Sequence, residues 1–107
     1  MKKLLLILML FSEAAFAQLE AIHFNAGWNE ANNVPWFMDL ECKTKGLTDI
    51  AKNPDEAKKH KIAVVPTIII LKDGEEALRF QADLSFKMVA TKEEVTEAID
   101  ELLMSDF

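Results

Sequence analysis

The chain has 107 residues, half of them apolar, with 12 Lys and Arg against 18 Asp and Glu, a net charge of −6 and one cysteine. That is one domain's worth of chain, hydrophobic enough to bury a small core, and its acidic balance argues against nucleic-acid partners, whose electrostatic affinity needs clustered Lys and Arg. Cys42 has no partner for an internal disulfide, His23 and His60 are too few to complete a zinc site with it, and three scattered glycines make no phosphate loop, so no metal or cofactor is expected.

Residues 1–17, MKKLLLILMLFSEAAFA, carry two lysines, an apolar run from Leu4 to Phe11 and a terminal Ala15, Phe16, Ala17. This is the pattern of a bacterial-type secretory signal with an A-x-A cleavage site, leaving residues 18–107 as the domain in the periplasm or outside the cell. The run is shorter than the roughly 20 residues of a membrane span, so no stable span is expected once the leader is removed. The alternative is that Lys3 to Phe11 forms a buried first strand followed by a short helix, in which case the protein stays in the cytoplasm.

Glu20 to Ala26 alternates as a strand, with Ile22 and Phe24 on one face and Ala21 and His23 on the other. After Gly27 and Trp28, Asn29 is placed to cap a helix running to Leu40, with Pro35 forcing a kink or a late start. Cys42 to Ile50 reads as a polar strand suited to a sheet edge. Asn53 as cap, Pro54 as first residue and the acids Asp55 and Glu56 open a short helix closed by Lys58 to Lys61. Ile62 to Leu71 is the most apolar stretch after the leader and predicts an interior strand beginning after Pro66. Asp73 and Gly74 centre a hairpin turn to a partner strand over residues 77–82. Thr91 and Glu94 form a capping box for a last helix with Val95, Ile99, Leu102 and Leu103 in one stripe.

This order resembles the thioredoxin family, and four local features carry the likeness. Phe24 to Trp28 resembles the aromatic run leading into that family's active site; Val65, Pro66 and Thr67 resemble its cis-proline loop; Lys72 to Glu75 matches its hairpin; and Ala82 to Ser85 resembles the segment before its last helix. The resemblance implies an α/β thioredoxin-like fold, a mixed central β-sheet flanked by helices, with Pro66 cis and facing residues 29–32. Where the family places Cys-x-x-Cys, this chain has Asn29, Glu30, Ala31 and Asn32, and the family's buried acid falls near His23. Dithiol exchange needs an attacking thiolate and a resolving thiol, and an amide supplies neither.

Two functions are compatible with these residues. In the first, a redox-inactive module, chaperone-like or structural, holds a protein or extended peptide in a groove formed by Trp28, Asn29, Asn32, Val65, Pro66 and Thr67, with Val65 offering its backbone for strand addition. The alternative is a monothiol disulfide oxidoreductase using Cys42. For each residue a plainer role competes: Asn29 and Asn32 as a helix cap and polar first turn, Trp28 packed over the helix start, Pro66 as architecture, Cys42 as a buried cysteine, and His23 as a hydrogen-bonded core histidine.

Overall fold

The computed structural model describes residues 19–105, and the leader and its alternative first strand lie outside them. Four strands, β1 (Leu19–Asn25), β2 (Thr44–Asp49), β3 (Thr67–Lys72) and β4 (Glu75–Gln81), form one mixed sheet in the order β2-β1-β3-β4. β1 runs parallel to β2 and antiparallel to β3, and β3 pairs antiparallel with β4. Two α-helices, α1 (Pro54–Lys59) and α2 (Lys92–Met104), complete the regular structure with two 3-10 segments at Gly27–Asn32 and Phe37–Asp39.

The alternation of apolar side chains divides the core between the two faces of the sheet. On one face Leu19 and Ala21 of β1 and Ile68 and Ile70 of β3 pack with Phe37, Leu40, Val95, Ile99 and Leu103. On the other, Phe24, Ile69 and Leu71 pack with the partly buried Ile22, Ile50 and Ile62. β3 is buried on both sides, which is why its sequence is an unbroken apolar run. β2 lies at the edge of the described sheet and keeps polar, partly exposed side chains, as its sequence anticipates.

Turn chemistry sets the remaining register. Asp73 and Gly74 both take positive φ, 54° and 84°, as a tight hairpin with the right-handed twist of its strands requires. Between Ile70 and Leu71 the partner on β4 jumps from Leu78 to Glu76, so Ala77 is the extra residue of a bulge. Asn53 occupies the position before α1, but its amide donates to the carbonyl of Asp49 at 3.2 Å and does not cap the helix. The opposite end of α1 is closed by Arg79 of β4, which donates to the carbonyls of His60 and Lys61 and pairs with Glu76.

The helix expected over residues 29–40 does not form. Ala26, not Asn29, precedes the first 3-10 segment, Asn29 leaves helical geometry within it (φ −112°, ψ 18°), and Asn33 is extended at ψ 144°. Glycine and asparagine are weak helix formers, and Pro35 both lacks a donor and biases Val34 toward extended backbone. Val34 N–H donates across to the His23 ring instead of along a helix.

The final helix shows the full capping box: Glu94 N–H donates to Thr91 Oγ1, and Thr91 N–H to Glu94 Oε1, each at 3.2 Å. Thr91→Ala removes one half of this exchange and is expected to lower stability by about 1 kcal/mol, read as a reduced denaturant midpoint with an unchanged slope.

Candidate functional site

The carboxyl end of β1, the first 3-10 segment, the loop before β3 and the loop after β4 converge on Asn29, which is 5% exposed. Its Nδ2 faces three acceptors: Asn25 Oδ1 at 3.0 Å, Phe86 O at 3.1 Å and Val65 O at 3.4 Å. A carboxamide has two N–H groups, so the shorter contacts take one proton each and the Val65 carbonyl holds the weak, shared position. Because Phe86 O and Val65 O can only accept, the orientation of the Asn29 amide is fixed. That in turn fixes its neighbours. Asn25 must present Oδ1 to Asn29 and donates its own Nδ2 to Asn29 O and Asn33 Oδ1, while Asn32 Nδ2 donates to Asn29 Oδ1 at 2.8 Å.

The sequence-derived residues are brought together unevenly. Asn29, Asn32 and Val65 meet in this network, and the Val65–Pro66 peptide is cis. Val65 and Pro66 are buried, and Thr67 is fully buried with its hydroxyl donating to Val64 O at 2.6 Å, so Thr67 has no side-chain group turned outward. Trp28 is 67% exposed and stands edge-on to Phe86, ring centroids 5.0 Å apart at 87°. The plainer role of Asn29 as a helix cap is corrected: its side chain links loops far apart in sequence.

Two participants were missed from sequence. Phe86 sits at positive φ (63°) in a turn held by Asp83, whose Oδ1 accepts from the N–H and hydroxyl of Ser85 and from Lys87 N–H. The Ser85 bonds hold the Asp83 carboxyl below its ordinary range. The other is Asn25, for which a signal existed: four asparagines fall between positions 25 and 33.

His23 is buried and tilted against Phe37, with Nε2 accepting from Val34 N–H at 3.2 Å, and burial lowers its pKa. Cys42 is half-buried and lies elsewhere. Lys43 N–H donates to Leu19 O at 2.9 Å, which puts Cys42 at the start of β1, roughly 20 Å along the strand from Asn25 at about 3.3 Å per residue. Burial pushes its thiol up to about 11, with Lys45 lowering and Glu41 raising it by smaller amounts. Among the described residues, no group of three or more His, Cys, Asp or Glu is placed to hold a metal ion, and no helix is long and apolar enough to cross a membrane.

No protein-family model and no curated protein matches the chain. Solved structures do. Thioredoxin from Fasciola hepatica is 24% identical, covering 88% of this chain and 89% of that one at a TM-score of 0.60. Thioredoxin from Schistosoma mansoni is 22% identical, covering 88% and 85% at 0.59, and a single-substitution mutant of thioredoxin from Halobacterium salinarum is 16% identical, covering 86% and 80% at 0.58. At these identities the likeness defines the fold: this chain has the thioredoxin-like α/β architecture.

Two measurements test the site's construction. Asn29→Asp keeps the shape but turns a donor into an acceptor facing two carbonyls, so denaturant unfolding is expected to show a loss of about 2 kcal/mol or more, against about 1 kcal/mol or less for Asn32→Ala. For His23, both folded and unfolded chains are neutral well above its ordinary value of 6.5, and below it the unfolded chain binds a proton the folded chain resists. Stability therefore falls as pH drops from about 7 toward 5, and His23→Gln, which keeps an acceptor but does not titrate, flattens that slope.

Proposed function

We propose that this chain is a redox-inactive thioredoxin-like protein that holds an extended segment of a protein partner at the surface formed by Trp28, Asn29, Asn32 and the Val65–Pro66–Thr67 loop. The carrying observation is the largely exposed Trp28 ring beside the buried amide network, in the place where the resemblance implies a dithiol. Phe86, 41% exposed and edge-on to the Trp28 ring, extends the apolar surface beside it. A large rigid aromatic flanked by fixed amides is the composition of a binding hot spot, in which the ring supplies buried area and the polar groups direction. Asn32, half-buried at the rim, is the amide that can re-aim toward a partner's backbone, whereas Thr67 contributes through its main chain alone. The reading includes export, on the strength of the leader pattern in residues 1–17.

Two features weigh against a monothiol enzyme. Cys42 lies at the far end of β1 from Asn29, and a thiol with a pKa of about 11 is ionised to only about one part in ten thousand at neutral pH, leaving little thiolate to attack a disulfide.

The test pairs a binding assay with a redox assay. A carboxymethylated, permanently unfolded polypeptide labelled for fluorescence anisotropy is expected to bind the wild-type protein, and Trp28→Ala to bind it at least about tenfold more weakly with an unaltered melting temperature. Disulfide reduction in the presence of dithiothreitol is expected to stay at the buffer rate. Equal binding by Trp28→Ala defeats the surface assignment, and turnover that disappears in Cys42→Ser establishes the monothiol enzyme in its place.

A further inference from the structure

A cleft of about 420 Å³ opens on the other side of the first 3-10 segment, between that segment and the carboxyl ends of the parallel strands β1 and β2. In open α/β sheets that is where ligands bind, and the volume falls in the range of small-molecule sites. None of Trp28, Asn29, Asn32, Val65, Pro66 and Thr67 lines it, although Asn25 and Asn33 of the amide network do, so the cleft adjoins that network without sharing the surface residues named above.

Its wall is divided by chemistry. Val34 and the buried Phe37 form an apolar side, continued at the mouth by Met38 and Leu47, which are 52% and 68% exposed. Buried His23 lines the cleft as well, with Nε2 already taken by Val34 N–H. The charged lining residues are Glu30, Asp49 and Lys52, two carboxylates to one ammonium. Glu30 and Asp49 stand in none of the ion pairs among the described residues, which join His60 to Glu56, Arg79 to Glu76 and Lys92 to Asp39. Asp49 uses Oδ1 to accept from Ala51 N–H at 2.8 Å, while Oδ2 lies toward Gly27, 3.6 Å from where a Cβ would stand. The Lys45 ammonium donates to Met38 O at 2.6 Å and is not among the lining residues.

We propose that this cleft is a second binding site, taking a small molecule that joins a protonated amine to an apolar body. The body lies over Met38 and Leu47, whose apolar surface is open to water, with buried Phe37 and Val34 forming the wall behind them, and the ammonium sits toward the Glu30 and Asp49 carboxylates. Charge selects this class over its neighbours. An anionic head would meet two carboxylates and one lysine, and a neutral alcohol of the same shape would offer those carboxylates one uncharged hydrogen bond in place of a charge-assisted one.

The probe is phenethylamine, titrated into the isotopically labelled protein and followed by nuclear magnetic resonance of the backbone amides, with phenethyl alcohol as the neutral match and phenylpropionate as the anionic one. Saturable shifts confined to the amides of Gly27, Glu30, Phe37 and Thr48, with both comparison compounds at least about tenfold weaker, are the expected result. Glu30→Gln combined with Asp49→Asn, which retains the oxygen that accepts from Ala51, is expected to weaken phenethylamine by a similar factor. The exposed Leu47→Lys provides an independent check, since it removes apolar wall and adds a repelling charge. Equal binding of the alcohol, shifts scattered away from the cleft, no saturation at millimolar concentration, or indifference to both variants overturns the proposal. Polypeptide binding is read through Trp28→Ala and amine binding through Glu30, Asp49 and Leu47, so failure of one reading is distinguishable from failure of the other.

Discussion

One buried carboxamide ties together the loops at one end of the sheet. Asn29 has two hydrogens to give and is surrounded by oxygens from three other parts of the chain: the end of β1, the loop before β3 and the turn after β4. An uncompensated amide in that position would cost several kcal/mol in a water-poor surrounding, so the loops are held where the oxygens meet it. The reverse is also true. The carbonyl of Phe86 has its place because Asn29 donates to it, and the Phe86 ring is thereby set against Trp28.

That constraint accounts for the short, irregular 3-10 segments where the local sequence predicts a longer helix. A regular helix directs its donors along its own axis, whereas here Val34 N–H goes to His23 and the asparagine side chains bond one another and neighbouring loops. The cost in helical hydrogen bonds is offset by a cross-linked polar layer beneath an exposed aromatic ring. The sheet below supplies rigidity, because β3 is buried on both faces and fixes β1 and β4 on either side.

Chemistry follows from what stands at each end of β1. At its carboxyl end lie amides, which do not exchange electrons but present direction-specific hydrogen bonds. At its amino end lies the one cysteine, half-buried and with its thiol shifted away from ionisation by burial. The scaffold separates this sulfur from the exposed aromatic pair beside the amide network, and that separation is the basis for reading the latter as a binding surface.

Much of the fold was legible in the residues themselves. The alternation in β1, the apolar run of β3, the Asp73–Gly74 turn and the Thr91–Glu94 box each depend on neighbours a few positions away, and each formed where the local pattern placed it. The site is legible only in part: Trp28, Asn29, Asn32 and Val65 stand in recognisable motifs, Asn25 is marked only by the crowding of asparagines over positions 25–33, Phe86 carries no local signal, and Asn29 and Asn53 do not fill the capping roles their positions suggest. Capping is a local rule: at Asn29 it yields to partners across the fold, and at Asn53 to the carbonyl of Asp49 four residues back. The bond from Asn29 to Phe86 spans 57 positions, and no periodicity or propensity encodes a contact at that range. Local sequence determined which elements exist, because their energetics are local; tertiary structure decided which amide meets which carbonyl, because those partners become neighbours only once the sheet has assembled.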